Sequence, residues 1–309
     1  MDVVSIVVPT LNRPQSLRRA LASARAQQGL GGATVEIVVI DNSREESARP
    51  VVAAFAQEGW PLRYVSEPRP GVANARNAGI AAARGDWIAF LDDDEEAPSD
   101  WLARLLATAR ATGADAVFGP VEARAEGATP IGELAPYFSR RIDRPEGAEI
   151  ADLAAYLGTN NSMFRKTRCL EGATPFETSL NETGGEDSLL LKRLVLHDRR
   201  FAWAAAAGVI EWAPERRLNW AYIRKRKFLS GQIRVFVHHM LGPAHWAQIP
   251  LWMAVGLAQF VGGGLAALAF WPISRARAER AAASAFGGLG KVLWTPRFRP
   301  ALYGSGLVS

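Results

Sequence analysis

The chain has 309 residues, 49% of them apolar and 22% charged, a globular composition without low-complexity bias. One cysteine, Cys169, excludes an internal disulfide and any zinc site built on several thiolates. The net charge of +5 averages two unlike parts: from Pro214 onward thirteen Lys/Arg meet two acids (net +11), so residues 1–213 hold 23 bases against 29 acids (net −6). An acidic body with a basic tail implies two tasks, the second directed at an anionic partner such as lipid or nucleic acid.

The first segment has an acid at Asp2, no basic flank and a short apolar run, so it reads as a buried strand over 3–8 and not as a signal peptide. The chain is expected to begin on the cytoplasmic side. Leu17, Ala20, Leu21 and Ala24 recur at helical spacing and predict a helix over 15–27. A run rich in Val and Ile predicts a strand over 35–40. Further on, strands are predicted over 62–65, 87–91 and 116–119, and helices over 48–58, 72–84 and 100–112. This alternation implies a parallel sheet covered on both faces, with ligands bound beyond the carboxyl ends of its strands. Residues 121–150, rich in Gly, Pro and charge, read as a variable loop region, and a helix is predicted over 188–196.

Between Val235 and Ile273 there is no Asp, Glu, Lys or Arg. Its second part, residues 249–273, is long enough to cross a bilayer, with Trp246, Trp252 and Trp271 near its ends. Basic residues flank both sides. Three readings follow: a buried helix of a soluble domain, a single span with a short outer tail, or a re-entrant or interfacial helix broken at Gly242-Pro243 or Gly262-Gly263-Gly264. His197, His238, His239 and His245 lack ligand spacing and read as structural or interfacial.

Chemistry concentrates at strand ends. Asp92, Asp93 and Asp94, followed by Glu95 and Glu96, come directly after the strand Trp-Ile-Ala-Phe-Leu. Carboxylates this close repel, and a divalent cation relieves the repulsion. A solvated acidic turn opening the next helix is the alternative. Strand one ends in Pro9-Thr10-Leu11-Asn12-Arg13, strand two in Asp41-Asn42-Ser43, and Pro70-Gly71-Val72-Ala73-Asn74-Ala75-Arg76-Asn77 precedes Gly85-Asp86-Trp87. In this order and spacing the motifs resemble family 2 glycosyltransferases, from Val3 to about Trp212. The dinucleotide fingerprint Gly-X-Gly-X-X-Gly is missing after strand one, which argues against a dehydrogenase.

The resemblance implies an α/β GT-A domain, Rossmann-like and mostly parallel with helices on both faces, over residues 1–213. A basic, apolar, helical membrane-associated region would occupy residues 214–309. It also implies a nucleotide-sugar donor, expected to be a UDP-sugar. Pro9, Thr10 and Asp41 would hold base and ribose, Asn12 would join them in binding the nucleotide sugar, and Arg76 would lean over the nucleotide. Asp92 would meet ribose or diphosphate with Asp93 sharing that role, and Asp94, with Asp92, would ligate Mg²⁺ or Mn²⁺. Asn160, in Gly158-Thr159-Asn160-Asn161-Ser162, would border the donor sugar and acceptor. Gly184-Gly185-Glu186-Asp187 resembles the motif of the catalytic base, which falls to Asp187 with Glu186 as its neighbour. Asp187 also suits a helix cap.

The Arg-rich stretch from Arg216 to Gln232 is similar to that of bacterial exopolysaccharide, succinoglycan-type transferases. Most of its bases are expected to face anionic membrane lipid and some the leaving diphosphate. The combined expectation is an inverting, metal-dependent transferase at the cytoplasmic face of a bacterial inner membrane. It would act on a saccharide or polyprenyl-linked acceptor in exopolysaccharide or cell-surface glycan synthesis. Transfer directly to polyprenyl phosphate, and a non-catalytic membrane scaffold, are the alternatives. The acidic body and the uncharged stretch speak against nucleic acid as a partner.

Overall fold

A computed structural model describes residues 2–55, 59–298 and 300. The expected alternation is present: β1 (Val3–Thr10), α1 (Pro14–Arg25), β2 (Thr34–Asp41), α2 (Arg49–Phe55), β3 (Leu62–Ser66), α3 (Val72–Ala82) and β4 (Trp87–Phe90). The predicted helix over 48–58 ends, within the described residues, at Phe55; residues 56–58 lie outside them. Next come β5 (Glu95–Glu96), α4 (Trp101–Thr112), β6 (Ala116–Phe118), β7 (Val121–Ala125) and β8 (Ser162–Arg165). The short α5 (Lys166–Cys169), α6 (Glu186–Leu196), β9 (Phe201–Trp203) and β10 (Val209–Ala213) complete this part.

The main sheet has seven strands in the order β3-β2-β1-β4-β8-β6-β9. Strand side chains alternate between its faces. Val4, Ile6 and Val8 of β1 pack with Leu17 and Leu21 of α1 and with Leu102 and Leu105 of α4. Val7 packs on the opposite face with Ile80 of α3 and Leu190 and Leu191 of α6. Leu17 and Leu21 are fully buried, and each such side chain contributes about 2 kcal/mol.

Two features depart from the parallel layout. β8 runs antiparallel to both neighbours, β4 and β6. The long segment between β7 and β8 carries no α-helix, so the chain returns without the crossover a parallel strand needs. Residues 121–150 are also more ordered than a loop region: β7 joins β5 and β10 in a second sheet of order β5-β10-β7. Its register sets Glu211 opposite Glu95.

Among the described residues the C-terminal part has three α-helices, α7 (Trp220–Met240), α8 (Gln248–Phe270) and α9 (Arg275–Val292). The apolar stretch breaks at Gly242, with φ 91°, while Gly262-Gly263-Gly264 stays helical inside α8. α9 lies against both other helices. A Cβ at Gly290 would fall 2.0 Å from the Phe228 carbonyl oxygen on α7, and one at Gly288 would fall 2.5 Å from that of Gly256 on α8. These helices meet backbone to backbone because no side chain stands between them. Ile223 of α7 and Ala283 of α9 share a core cluster with Phe138 and Ala213, which docks the helices on the body. In α8, Gly256 alone is buried, and Leu251, Leu257, Leu265 and Leu268 are exposed. That excludes the reading of α8 as a core helix.

Candidate active site

β1, β2 and β4 are parallel neighbours, so their carboxyl ends fall on one edge. Thr10 ends β1, Asp41 ends β2 and Asp92 follows β4. Beyond that edge lies a cavity of about 1670 Å³. Its walls include Pro9, Thr10, Asn12, Arg76, Asp92, Asp93, Asp94, Asn160, Glu186 and Asp187, all expected from the sequence. Its volume exceeds the 300–1000 Å³ of ordinary small-molecule pockets and leaves room for two substrates.

The three consecutive acids have different surroundings. Asp93 turns inward: Thr10 Oγ1 donates to its Oδ2 at 2.7 Å, and Arg13 Nη1 lies 3.1 Å from its Oδ1. The same Arg13 nitrogen reaches Asp94 Oδ2 at 2.9 Å. Burial pushes the Asp93 carboxyl up to about 7, with Arg13 opposing. Asp92 Oδ1 is buried and without a hydrogen-bond partner, 3.6 Å from Arg76 Nη2. Burial pushes the Asp92 carboxyl up too, again against an arginine.

Glu95 and Glu211 extend this acidic group. The Asp92 amide donates to Glu95 Oε2 at 2.9 Å, and Asn160 Nδ2 donates to Glu95 Oε1 at 3.0 Å. Burial raises the Glu95 carboxyl well above its usual value. Glu211 is raised to about 7 by burial and then by the charge of Asp94, with Arg226 and Arg217 opposing.

Arg76 joins the two halves of the site. Asn181, from the loop before α6, accepts from the Ala73 amide at 2.9 Å and so caps α3 from outside. A Cβ at Gly71 would collide with it at 2.1 Å, so the loop closes only on glycine. This contact brings α3 against the start of α6. Arg76 Nη1 then donates to Glu186 Oε1 at 2.8 Å, both residues being buried. Burial, followed by the charge of Asp187, pushes the Glu186 carboxyl up to about 7. Asp187 faces the cavity from the first turn of α6 and accepts from the Ser188 amide at 2.6 Å.

Two expected residues sit differently. Asp41 is fully buried and is not on the cavity wall. Its Oδ1 accepts from Ser43 N (3.0 Å) and Oγ (2.6 Å), and its Oδ2 from Ala48 N (2.7 Å) and the Tyr64 hydroxyl (3.2 Å). Asp41 therefore shapes a turn, and the wall there is formed by Asn42, Ser43, Arg44 and Glu45. Asn160 does reach the wall, but Glu95 and Arg140 hold its side chain. Arg140 also binds the backbone oxygens of Gly119, Gly158, Asn160 and Asn161, between 2.7 and 3.2 Å.

Arg13, Glu95, Arg140 and Glu211 were not singled out as site residues. Arg13 lies inside a quoted motif and Glu95 beside the three Asp, so both had a signal in the sequence. Arg140 comes from the segment read as loop and had none, and Glu211, just ahead of the Arg-rich stretch, reaches the site only through pairing in the second sheet. Arg226, Lys227 and Arg234 of α7 also line the cavity, whereas Arg224 pairs with Glu279 of α9. The basic helix is thus turned largely toward the site.

Among the described residues, no three His, Cys, Asp or Glu side chains converge on one point. A divalent cation would be held here by one or two carboxylates, with substrate phosphates completing its shell, as is usual for Mg²⁺. Asp92 Oδ1, which accepts no hydrogen bond and has Arg76 Nη2 at 3.6 Å, fits that use.

The profile described as Glycosyl transferase family 2 matches residues 5–168, more than half of the chain. Succinoglycan biosynthesis protein ExoM of Rhizobium meliloti (strain 1021) is 36% identical over 234 residues, 74% of this chain and 73% of that protein. The chain belongs to glycosyl transferase family 2 and is a glycosyltransferase. A GalNAc(5)-diNAcBac-PP-undecaprenol beta-1,3-glucosyltransferase of Campylobacter jejuni subsp. jejuni serotype O:2 is 30% identical over 172 residues, 54% of this chain and 53% of that one. The solved structure of mannosyltransferase PcManGT from Pyrobaculum calidifontis with GDP-Man and Mn²⁺ has TM-score 0.60 at 17% identity. It covers 94% of this chain and 87% of that one, and shows the GT-A-like fold to be shared.

Proposed function

We propose that the protein transfers a sugar, with inversion, from a nucleoside-diphosphate sugar to a saccharide carried on a membrane lipid, in surface-glycan synthesis. One observation carries this reading. The Arg76 guanidinium spans Asp92 and Glu186, so one cavity holds both the acidic strand end and the start of α6. A donor diphosphate near Asp92–Asp94 and an acceptor near Asp187 would then share that space.

Asp187 takes the proton of the acceptor hydroxyl as that oxygen attacks the anomeric carbon. The bond from that carbon to the diphosphate breaks on the opposite side, and the nucleoside diphosphate leaves. Arg76 and Glu186 set the α6 end of the cavity, and Thr10 and Arg13 fix the Asp93–Asp94 turn. A divalent cation held by Asp94 and Asp92 would neutralise charge on the leaving diphosphate. The fold neighbour solved in complex with GDP-Man and Mn²⁺ supports a nucleotide sugar and a metal. A uridine nucleotide is the expected donor, and a screen of UDP- and GDP-sugars tests it.

The lipid-linked acceptor rests on the undecaprenol named for one relative and on the apolar surface of α8. We place α8 in the cytoplasmic face of an inner membrane. α9 packs along it and also on α7, an arrangement that keeps residues 275–292 beside the body.

Asp187→Asn and Asp94→Asn should each lower transfer about 10²–10⁴-fold in a folded protein. Asp187→Asn should leave donor affinity unchanged, while Asp94→Asn should lower it. Full transfer in either variant would refute that assignment, and transfer persisting in a strong chelator would refute the metal.

A further inference from the structure

Beyond the carboxylates, the cavity continues along α7 to a wall formed by α8 and α9, and its lining there turns basic. Lys227 and Arg234 of α7, Lys291 of α9 and Lys192 of α6 all face it. Arg234 lies eight residues past Arg226, about 12 Å along the helix, so the basic lining runs on from Lys227, beside the Arg226 that acts on Glu211, to Arg234.

Two of these cations converge on a single ring. The Arg234 guanidinium lies 5.3 Å, and Lys291 Nζ 5.8 Å, from the centroid of Trp252 on α8. Lys291 donates to Gln259, also of α8, and Arg234 donates to the Ala155 carbonyl at 3.1 Å. Both partners are neutral. The charges acting on Lys291 are Arg234 and Lys227, both positive, and burial with their repulsion lowers its pKa. The one acid of the last three helices, Glu279, is taken up by Arg224 and Arg275.

A second observation is independent of these cations. His238 lines the same cavity and is 9% exposed, and its Nδ1 is buried with no hydrogen-bond partner. Burial and the nearby positive charges of Lys192, His245 and Arg234 hold its pKa down to about 4. Positive charge thus gathers around an unused imidazole nitrogen, and among the described residues no acid forms an ion pair with Lys227, Arg234 or Lys291. Behind Trp252, the outer side of α8 is bare Leu and Val. An anion seated here has apolar surface beside it, which is the chemistry of an amphiphile's headgroup.

We propose that Lys227, Arg234 and Lys291, with His238, form a site for the phosphate or diphosphate of a lipid-linked acceptor, whose hydrocarbon tail leaves along α8. This deepens the reading of the protein as a transferase acting on such acceptors and rests on it. The site would hold the lipid phosphate toward the Arg234 end of α7, with the acceptor sugar between it and Asp187.

The test is calorimetric titration of the full chain in detergent with farnesyl diphosphate, inorganic pyrophosphate and farnesol. Saturable binding of farnesyl diphosphate, at least tenfold tighter than either fragment, is expected. Arg234→Gln and Lys291→Met should each weaken it about ten- to a hundredfold, since each removes a charge-assisted contact. Both should leave nucleotide-sugar affinity within twofold. Lys291→Met also relieves repulsion, so its melting temperature should not fall, and Lys291→Arg should keep the affinity. Unchanged binding in both charge-removing variants overturns the proposal. Pyrophosphate binding as tightly as farnesyl diphosphate also overturns it, because the lipid then contributes nothing. If the wild type binds farnesyl diphosphate with these sensitivities yet transfers sugar to no prenyl-linked acceptor, the anion site stands and the transfer reading fails.

Discussion

Replacing Arg76 by Met removes a side chain that contacts both Asp92 and Glu186. Arg76 is 6% and Glu186 5% exposed, so water does not replace the lost 2.8 Å pair. Breaking a buried pair costs about 3–5 kcal/mol when the remaining charge cannot escape. Here it can escape by protonation. Even beside Arg76, burial and Asp187 push the Glu186 carboxyl up to about 7, and without the guanidinium it rises further. A raised carboxyl contributes stability that is complete at low pH and lost as pH rises through its folded value. At pH 8 the variant must hold Glu186 charged and unpaired or bind a proton against the gradient, a loss of about 3 kcal/mol. At pH 5.5 Glu186 is already neutral and the loss falls to about 1 kcal/mol. For a chain of 309 residues, at about 2.1 cal/mol/K of unfolding entropy per residue, the change in melting temperature is about 4–5 °C at pH 8 and about a third of that at pH 5.5. Arg76→Met/Glu186→Gln should recover most of the pH 8 loss, which a double-mutant cycle measures. An equal loss at both pH values, or no recovery in the double variant, would refute the argument.

Glu211 titrates in the same sense. Burial and Asp94 raise it to about 7, so wild-type stability should fall as pH rises from 5 to 8. Glu211→Gln should gain about 1–3 kcal/mol on the wild type over that interval, and a constant difference in melting temperature would contradict this. Cys169 is buried, its Sγ lies 3.4 Å from the Asp115 carbonyl, and burial followed by the Asp115 charge raises its thiol to about 12. Iodoacetamide at pH 8 should leave it unmodified in the native protein and alkylate it once urea unfolds the chain.

Much of the fold was legible because it depends on local periodicity. β1 and β2 are runs of buried Val and Ile, and their alternation fixes which residues meet α1 and which meet α3. The acidic strand end after β4 was legible for the same reason, since a strand followed by three Asp needs no tertiary information to be noticed. Asp187 and Glu186 were readable as a motif at a helix start. The uncharged stretch and the basic tail were readable from composition alone.

Tertiary structure decided everything that depends on partners distant in sequence. Asp41 was expected at the nucleotide, but Ser43, Ala48 and Tyr64 take both its oxygens, and Asn42 and Ser43 form the wall instead. Glu211 stands opposite Glu95 only because β10 pairs with β5. Most bases of this stretch were expected to face lipid and some the diphosphate, and the docking of Ile223 and Ala283 on Phe138 decides that Arg226, Lys227 and Arg234 are the ones that line the cavity. The sequence alone determined that the protein has an acidic, sheet-based body, a strand-end carboxylate cluster and a basic, apolar tail, because each follows from neighbours along the chain. Only the packed structure decided which carboxylates share one cavity and which cations meet them. Charges interact through space, and folding sets those distances.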